Sequence, residues 1–515
     1  MFRPNSNFFD EGGHSILAQQ MFFSLTKEWK DINLPIKVIF QSQTLEALAA
    51  EIDRAQDPIG LRLDAMPLDG DKNVEDEAYA IDARDLTSKI PKSIPTAGAV
   101  TSPRVLLTGA TGFLGSYIVH ELLEGPIKAN VIALVRAKDQ ADGLARLEKV
   151  MKAYGLWSEE WVTSSRLEVV VGDFGKPQLS LSQDVWTRLS AEVDAVIHNG
   201  AQVNWMLPYS SLRSANVLST LACIQLCATG KAKRLAFVSS TSTLDNDHYV
   251  ELSKKAGAVM EADDLEGSRK GLATGYGQSK WASELLVREA GLRGLAGAVI
   301  RPGYITADPA SGISVTDDFL VRLWKGSLQV GGRPDIANTL NAVPVTKVSR
   351  IVVSSAFHLS AATGQSVAVA QVTSHPRLTL NDWIGALEAY GYEAPIMPYP
   401  EWSARVKEYV SDETKEEPHA LLPLFHFVVG DLPGNSIAPE LDDANALAAL
   451  KLYEEESNVS HTVDVESLGT YLAYLVVIGF LPTPTGSGKT PLPKLDLAAS
   501  QISAASSFGG RSAKP

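Results

Sequence analysis

The chain has 515 residues, a 45% hydrophobic composition and a formal net charge of −14. That length predicts about two to four domains at roughly 150 residues each, with ample apolar surface for a core. The acidic balance argues against general nucleic-acid binding, since such a surface repels phosphate backbones. Two cysteines in so long a chain exclude a disulfide framework and fit a reducing, cytoplasmic setting.

The first residues lack the charged start and apolar run of a signal peptide. Ser15–Trp29 has helical apolar spacing, and Thr44 reads as the N-cap of a second helix over Leu45–Ile52, so residues 1–56 form one predicted helical module. From 57 to 103 the composition turns to Asp, Pro, Ser and Lys, which predicts a linker with a short helix near Val74–Leu86. At Arg104 strand–helix alternation begins, with strands expected at Arg104–Thr108, Val131–Val135, Leu167–Val171, Ala195–His198, Leu235–Ser239 and Ala298–Arg301. The alternation predicts an α/β fold, a Rossmann-like doubly wound parallel sheet, over 104–343. Beyond Pro344 the pattern becomes mostly helical, a predicted C-terminal substrate subdomain over 344–482. Its apolar segment Leu468–Leu481 is too short to span a bilayer and reads as a buried helix. Residues 483–515, rich in Pro, Ser, Gly and Ala, are expected to form a mobile tail.

Arg104-Val-Leu-Leu-Thr-Gly-Ala-Thr-Gly-Phe-Leu-Gly115 is a strand, a glycine turn and a helix start. Gly109 permits the tight turn, Gly112 lets backbone approach a pyrophosphate, and Gly115 lets the helix lie close to the sheet. Thr111, Phe113 and Leu114 of the same turn are candidate cofactor-binding residues with them. The helix N-terminus adds free N–H groups and positive dipole. After the second strand an NAD site usually places an acid. Here Arg136 stands there, with Lys138 and Arg146 beyond. A guanidinium suits a 2′-phosphate, so the expected cofactor is NADPH.

Tyr276-Gly-Gln-Ser-Lys280 puts a phenol and an ammonium four residues apart, on one helical face. A neighbouring cation stabilises the phenolate and makes the tyrosine a usable acid–base group; the lysine can also hold the nicotinamide ribose. Both follow a serine-rich strand end, Phe237-Val-Ser-Ser-Thr-Ser-Thr. Cys223 and Cys227 sit in the apolar stretch Val217–Ala228 and read as core, not as a nucleophile. No histidine–cysteine cluster suggests a metal. Gly486-Ser-Gly-Lys-Thr490 mimics a phosphate loop but lacks its first glycine and a preceding strand.

These motifs resemble the extended short-chain dehydrogenase/reductase superfamily. The resemblance implies a serine or threonine at the end of the fifth strand as partner of Tyr276 and Lys280. Register favours Ser240 over Thr241 and Ser242. It further implies Asp173 near the adenine, the turn Asn199-Gly-Ala201 along the cofactor, and Arg301-Pro-Gly-Tyr-Ile-Thr306, with Pro302 and Gly303, beside the nicotinamide.

Phe8-Phe-Asp-Glu-Gly-Gly-His-Ser15 resembles the attachment motif of acyl and peptidyl carrier proteins, which implies a 4′-phosphopantetheine arm on Ser15. Further motifs look like the C-terminal portion of the fungal L-2-aminoadipate reductase family of lysine biosynthesis: His198-Asn-Gly-Ala-Gln-Val-Asn-Trp205, Ser239-Ser-Thr-Ser-Thr-Leu-Asp245, Gly275-Tyr-Gly-Gln-Ser-Lys-Trp-Ala282 and Ala438-Pro-Glu-Leu-Asp-Asp443. The implied activity is NADPH-dependent reduction of a carrier-bound aminoadipoyl thioester to the semialdehyde. An upstream adenylation domain and a phosphopantetheinyl transferase are the implied partners, with no nucleic acid or membrane. Because Ser15 lies so near Met1, the carrier is expected to be truncated and poorly stable. The alternatives are a reductase for another acyl or aryl thioester, and a non-catalytic carrier or docking scaffold. The residues that read the acyl chain are not identified by sequence; Thr316-Asp-Asp-Phe319 and the segment after Pro344 are candidates by position.

Overall fold

The computed structural model describes residues 3–8, 21–22, 25, 38–39, 42, 44–56, 69–98, 100–359, 361, 367–412, 414–451, 462–486, 490–498 and 501–502. Most of the predicted helix Ser15–Trp29, with Ser15 itself, lies outside them. The second N-terminal helix is present as α1 (Leu45–Gln56), with the Thr44 hydroxyl accepting from the Ala47 N–H.

Seven strands form one parallel sheet: β1 (Arg104–Thr108), β2 (Asn130–Val135), β3 (Leu167–Val171), β4 (Ala195–His198), β5 (Arg234–Val238), β6 (Ala296–Pro302) and β7 (Ala368–Val372), in the order β7-β6-β5-β4-β1-β2-β3. Strand periodicity sends alternate side chains to opposite faces, and both are covered. Val105 and Leu107 enter one apolar cluster with Ile118, Val348 and Ile351. Leu106, between them, enters another with Tyr79, Leu221 and Trp281. The order reverses direction between β1 and β4, where open α/β sheets form a ligand crevice at the strands' carboxyl ends.

Three segments differ from expectation. The short helix expected near Val74–Leu86 is present as α2 (Asp69–Leu86), but it is no free linker: its Tyr79, Ala80, Ala83 and Leu86 are buried in the sheet's own apolar cluster. The Asp82 carboxylate there accepts from the Tyr209 hydroxyl at 2.6 Å and from the Arg213 guanidinium at 2.7 Å. Weak periodicity hid this, because α2 buries one narrow stripe and is otherwise charged. Second, β7 lies in the segment expected to be mostly helical; five residues, all buried, are too short a run to read as a strand. Third, the described part of the expected tail packs against the C-terminal apolar cluster through Leu492, Leu495 and Leu497.

Further helices order the rest: α3 (Phe113–Glu124), α4 (Gln140–Ala153), α5 (Ser219–Cys227), α6 (Gly275–Leu292), α7 (Phe319–Gln329), α8 (Val345–His358) and α9 (Val465–Val477). The third cluster holds α7 and α9 and contains Trp324 and Trp383 stacked at 4.6 Å. The Leu468–Leu481 segment forms most of α9, and its Leu468, Tyr471, Leu472 and Leu475 are buried. Among the described residues no helix is long and apolar enough to cross a membrane.

A fully buried ion pair ties α6 to the sheet. Glu284 accepts from Arg301 of β6, from Arg288 at 3.0 Å and from the Ser239 hydroxyl at 3.0 Å. Arg301 also donates to the Gln371 amide of β7 at 3.2 Å. Removing one partner strands the other charge in a low dielectric. Glu284→Gln is therefore expected to cost about 3–5 kcal/mol in urea unfolding. A Glu284→Leu/Arg301→Met double variant is expected to lose less than either single change.

Candidate active site

At the carboxyl end of β1 the chain turns through Gly109, whose φ of +72° is a left-handed conformation. A Cβ at Gly109 would lie 2.7 Å from the Gly200 backbone, and one at Gly115 would lie 2.0 Å from the Gly109 carbonyl. Gly112 caps α3 and donates its N–H to the Gly109 carbonyl at 3.0 Å. Thr111 and Phe113 are half-buried beside it and Leu114 is buried. The first N–H groups of α3 have no partner within the helix. This cradle, with room for backbone but not for Cβ atoms, fits a dinucleotide pyrophosphate.

The next wall of the crevice follows β4. Asn199 donates its amide to the Gly109 carbonyl at 3.2 Å, and Ala201 is half-buried two residues on. Beneath them runs a buried chain of polar groups. Ser219 gives its proton to the Ala215 carbonyl at 2.6 Å, so its oxygen accepts from His198 Nε2, 3.1 Å away. His198 Nδ1 then accepts from the Thr108 hydroxyl at 2.8 Å, and the Thr108 oxygen accepts the Gly200 N–H at 2.9 Å. Burial, and then the Lys280 charge, hold His198 down to about 3, so it is a neutral strut for both crevice loops.

Arg136 directly follows β2 and is exposed. Arg146 of α4 donates to the Arg136 main-chain carbonyl, which places the Arg146 guanidinium beside the end of β2. Asp173, after β3, is half-buried and accepts the Gly175 N–H at 2.8 Å. At the other end Pro302 and Gly303 lead off β6, and a Cβ at Gly303 would meet the Asn341 carbonyl at 2.3 Å.

Tyr276 and Lys280 occupy the first turns of α6, which Thr274 caps by accepting the Gly277 N–H at 3.1 Å. Both side chains are buried, with the ammonium 5.8 Å from the Tyr276 ring centre and 4.9 Å from that of Phe237. Lys280 donates to the Val238 carbonyl, the last residue of β5, at 2.7 Å. Burial pulls its amine down to about 7. Strand alternation distinguishes the serines. Ser239 turns inward to Glu284, whereas Ser240 begins a short 3-10 turn over Thr241–Leu244. The Ser240 oxygen accepts the Ser242 N–H at 3.1 Å, which leaves its own proton to donate. Thr241 is half-buried at the start of that turn, and the Ser242 carbonyl lies 2.8 Å from where a Gly277 Cβ would be. The geometry thus brings the end of β5 against the start of α6.

Asn216 was not anticipated. Its side chain accepts the Gln202 N–H at 2.8 Å and donates to the Gln202 carbonyl and the Ser279 hydroxyl, clamping the β4 loop to α6 beside Tyr276. No local motif marks it, because its partners are distant in sequence. Cys223 and Cys227 are free and buried in α5, and burial pushes Cys227 up to about 12. Among the described residues no group of three or more His, Cys, Asp or Glu side chains gathers at a metal position.

Comparison with known proteins supplies an independent view of this site. Residues 107–352 match the family described as male sterility protein, an NAD-binding family, and residues 1–52 match the phosphopantetheine attachment site family. The chain is 49% identical to the L-2-aminoadipate reductase large subunit of Penicillium chrysogenum over 99% of its own length and 37% of that protein's. It thus spans little more than a third of that relative. The terminal R domain of the myxalamid PKS-NRPS pathway is 30% identical, with a TM-score of 0.66 over 79% of this chain and 99% of that domain. A thiolation-reductase di-domain from an archaeal non-ribosomal peptide synthetase, 18% identical, shares the fold with a TM-score of 0.66 over 93% of this chain and 94% of its own.

The buried Lys280 amine makes a specific prediction. Its value is about 7 in the folded protein against 10.5 ordinarily, so the unfolded chain binds more protons between those limits. The resulting folding penalty is full below pH 7 and fades as the pH rises toward 10.5. Lys280→Met should therefore raise the thermal unfolding midpoint more at pH 6 than at pH 9, measured by calorimetry.

Proposed function

The chain belongs to the thioester reductases of the L-2-aminoadipate reductase type, which join a phosphopantetheine carrier region to an NAD(P)H-binding reductase, and from that premise we propose that it reduces a carrier-bound aminoadipoyl thioester to 2-aminoadipate semialdehyde with NADPH, a step of lysine biosynthesis. The juxtaposition of Tyr276, Lys280 and Ser240 at the mouth of the glycine cradle carries this reading. Ser15 is the proposed attachment residue, served by a phosphopantetheinyl transferase, and carboxylate activation falls to an adenylation domain.

When bound, NADPH supplies hydride. Gly109, Thr111, Gly112, Phe113, Leu114 and Gly115 would hold its pyrophosphate, Asp173 its adenine side, and Asn199, Ala201, Pro302 and Gly303 would line it. Arg136, with Arg146 behind it, would pair with the 2′-phosphate. Ser240 donates a hydrogen bond to the thioester carbonyl, and Tyr276 gives its proton to the oxygen as negative charge develops there. Lys280 lowers the cost of the resulting phenolate by its charge. The C–S bond then breaks, leaving aldehyde and free thiol.

Purified chain with aminoadipoyl-pantetheine and NADPH is expected to lose the reduced-nicotinamide absorbance and form aldehyde. Folded protein that oxidises no NADPH would overturn the reading. Tyr276→Phe should lower turnover by about 10²- to 10⁴-fold with NADPH binding retained. Arg136→Ala should shrink the preference for NADPH over NADH by roughly tenfold or more, as expected for a hydrogen bond to a charged group.

A further inference from the structure

Asn341 ties the chain past β6 to the loop after β7. Its carbonyl accepts the Tyr304 N–H at 2.7 Å, and its side-chain oxygen accepts the Thr373 hydroxyl at 2.8 Å. Against that loop lies the segment 438–443, one of the motifs that resemble the aminoadipate reductases. The Gln371 amide of β7 fixes the segment by donating to the Asp442 carbonyl at 2.9 Å. Loop and segment then touch at two points. Arg377 Nη1 donates to the Pro439 carbonyl at 3.3 Å and pairs with Glu440 at 2.9 Å. His375 Nε2 lies 3.2 Å from Asp443 Oδ2.

The polar groups between these points are unmet. The Arg377 side chain is only 6% exposed, yet its Nε and Nη2 have no hydrogen-bond partner among the described residues. Asp443 Oδ2 is enclosed as well, and the approach of His375 is not aligned as a hydrogen bond. The buried Ser374 hydroxyl of the same loop has no partner either. Buried polar atoms are nearly always satisfied, so this concentration in one loop contact points to a guest. Nε and Nη2 form one edge of the guanidinium, two parallel donors that match both oxygens of a carboxylate. Asp443 needs the opposite, a cation or an N–H donor. Lys347 beneath the loop donates to the Thr373 carbonyl at 2.6 Å, so the cations Arg377 and Lys347 balance the carboxylates of Glu440 and Asp443. A guest with no net charge, a carboxylate and an ammonium on one carbon, meets both unpaired groups.

We propose that Arg377 and Asp443 form a site for an α-amino-acid head group, its carboxylate on the Nε–Nη2 edge and its ammonium on Asp443. His375, which rests on Asp443 and is 53% exposed, is the side chain that the ammonium displaces. The choice of amino acid rests on the reductase reading above. There 2-aminoadipate carries such a head group, either as the free acid or at the far end of the thioester-bound chain.

Calorimetric titration of the full chain with 2-aminoadipate, and with adipate, which lacks the ammonium, tests this without turnover. Wild type is expected to bind 2-aminoadipate more tightly than adipate. Arg377→Met and Asp443→Asn should each weaken 2-aminoadipate by about tenfold or more, as for a hydrogen bond to a charged group. NADPH binding serves as the folding control. Where a buried variant fails it, His375→Ala decides at an exposed position, and should bind 2-aminoadipate more tightly because no imidazole competes for Asp443. No binding of 2-aminoadipate, equal binding of adipate, or unchanged affinity in the folded variants overturns the site and leaves water as its occupant. Turnover identifies the source of the head group. If Arg377→Met lowers kcat/KM for aminoadipoyl-pantetheine but not for hexanoyl-pantetheine, which has neither charge, the site holds the acyl chain. If neither changes while the titration shows the loss, it holds the free amino acid. An equal loss on both marks a structural effect and overturns the site. Wild type that binds 2-aminoadipate but oxidises no NADPH keeps the site and removes the reductase reading.

Discussion

The Glu284–Arg301 pair is the constraint on which the site depends. Both charges are fully buried, a position tolerable only because each is met: Glu284 by Ser239 just after β5 and by Arg288 of the same helix, and Arg301 by Gln371 of β7. Burial alone would raise the Glu284 carboxyl, but Arg301 and Arg288 hold it below the usual range, so it stays charged. Tyr276, Lys280, Glu284 and Arg288 recur every four residues, one stripe along α6. Fixing Glu284 to Arg301 of β6 and to Ser239 just past β5 therefore fixes how that stripe faces the sheet, and with it the reach of Lys280 to the end of β5.

The cofactor crevice rests on a second buried network of a different kind. Thr108, His198 and Ser219 carry no net charge, and their hydrogen bonds donate in one consistent direction, from the Gly200 N–H to the Ala215 carbonyl. Neutrality matters here. A protonated His198 would oppose the Lys280 ammonium in a low dielectric, and both groups are already displaced downward by burial. The glycines complete the arrangement by excluding Cβ atoms where the β1 and β4 loops touch.

The sheet layer and the segments outside it contribute different side chains. The groups proposed to react stand just after β5 and on α6, against the sheet layer, and so inherit its rigidity. The aromatic cluster of Trp205, Tyr304, Phe319 and Phe427 draws on the loop after β4, the segment after β6, α7 and a later helix, none of which the doubly wound pattern specifies.

Much of this was legible in the residues alone. Six of the seven sheet strands, the glycine turn, the guanidinium after β2 and the Tyr276/Lys280 stripe follow from local periodicity and spacing, because each is decided by neighbours in sequence. The carrier motif around Ser15 is equally local. Tertiary structure alone decided that α2 belongs to the sheet's apolar layer, that β7 closes the sheet, and that Leu492–Leu497 pack inward. It alone joined Asn216 to Ser279, Glu284 to Arg301 and Trp205 to Tyr304 and Phe427. Those pairings bring together residues far apart in sequence, and their energies arise from burial, which no single segment of the chain possesses until the others have packed against it.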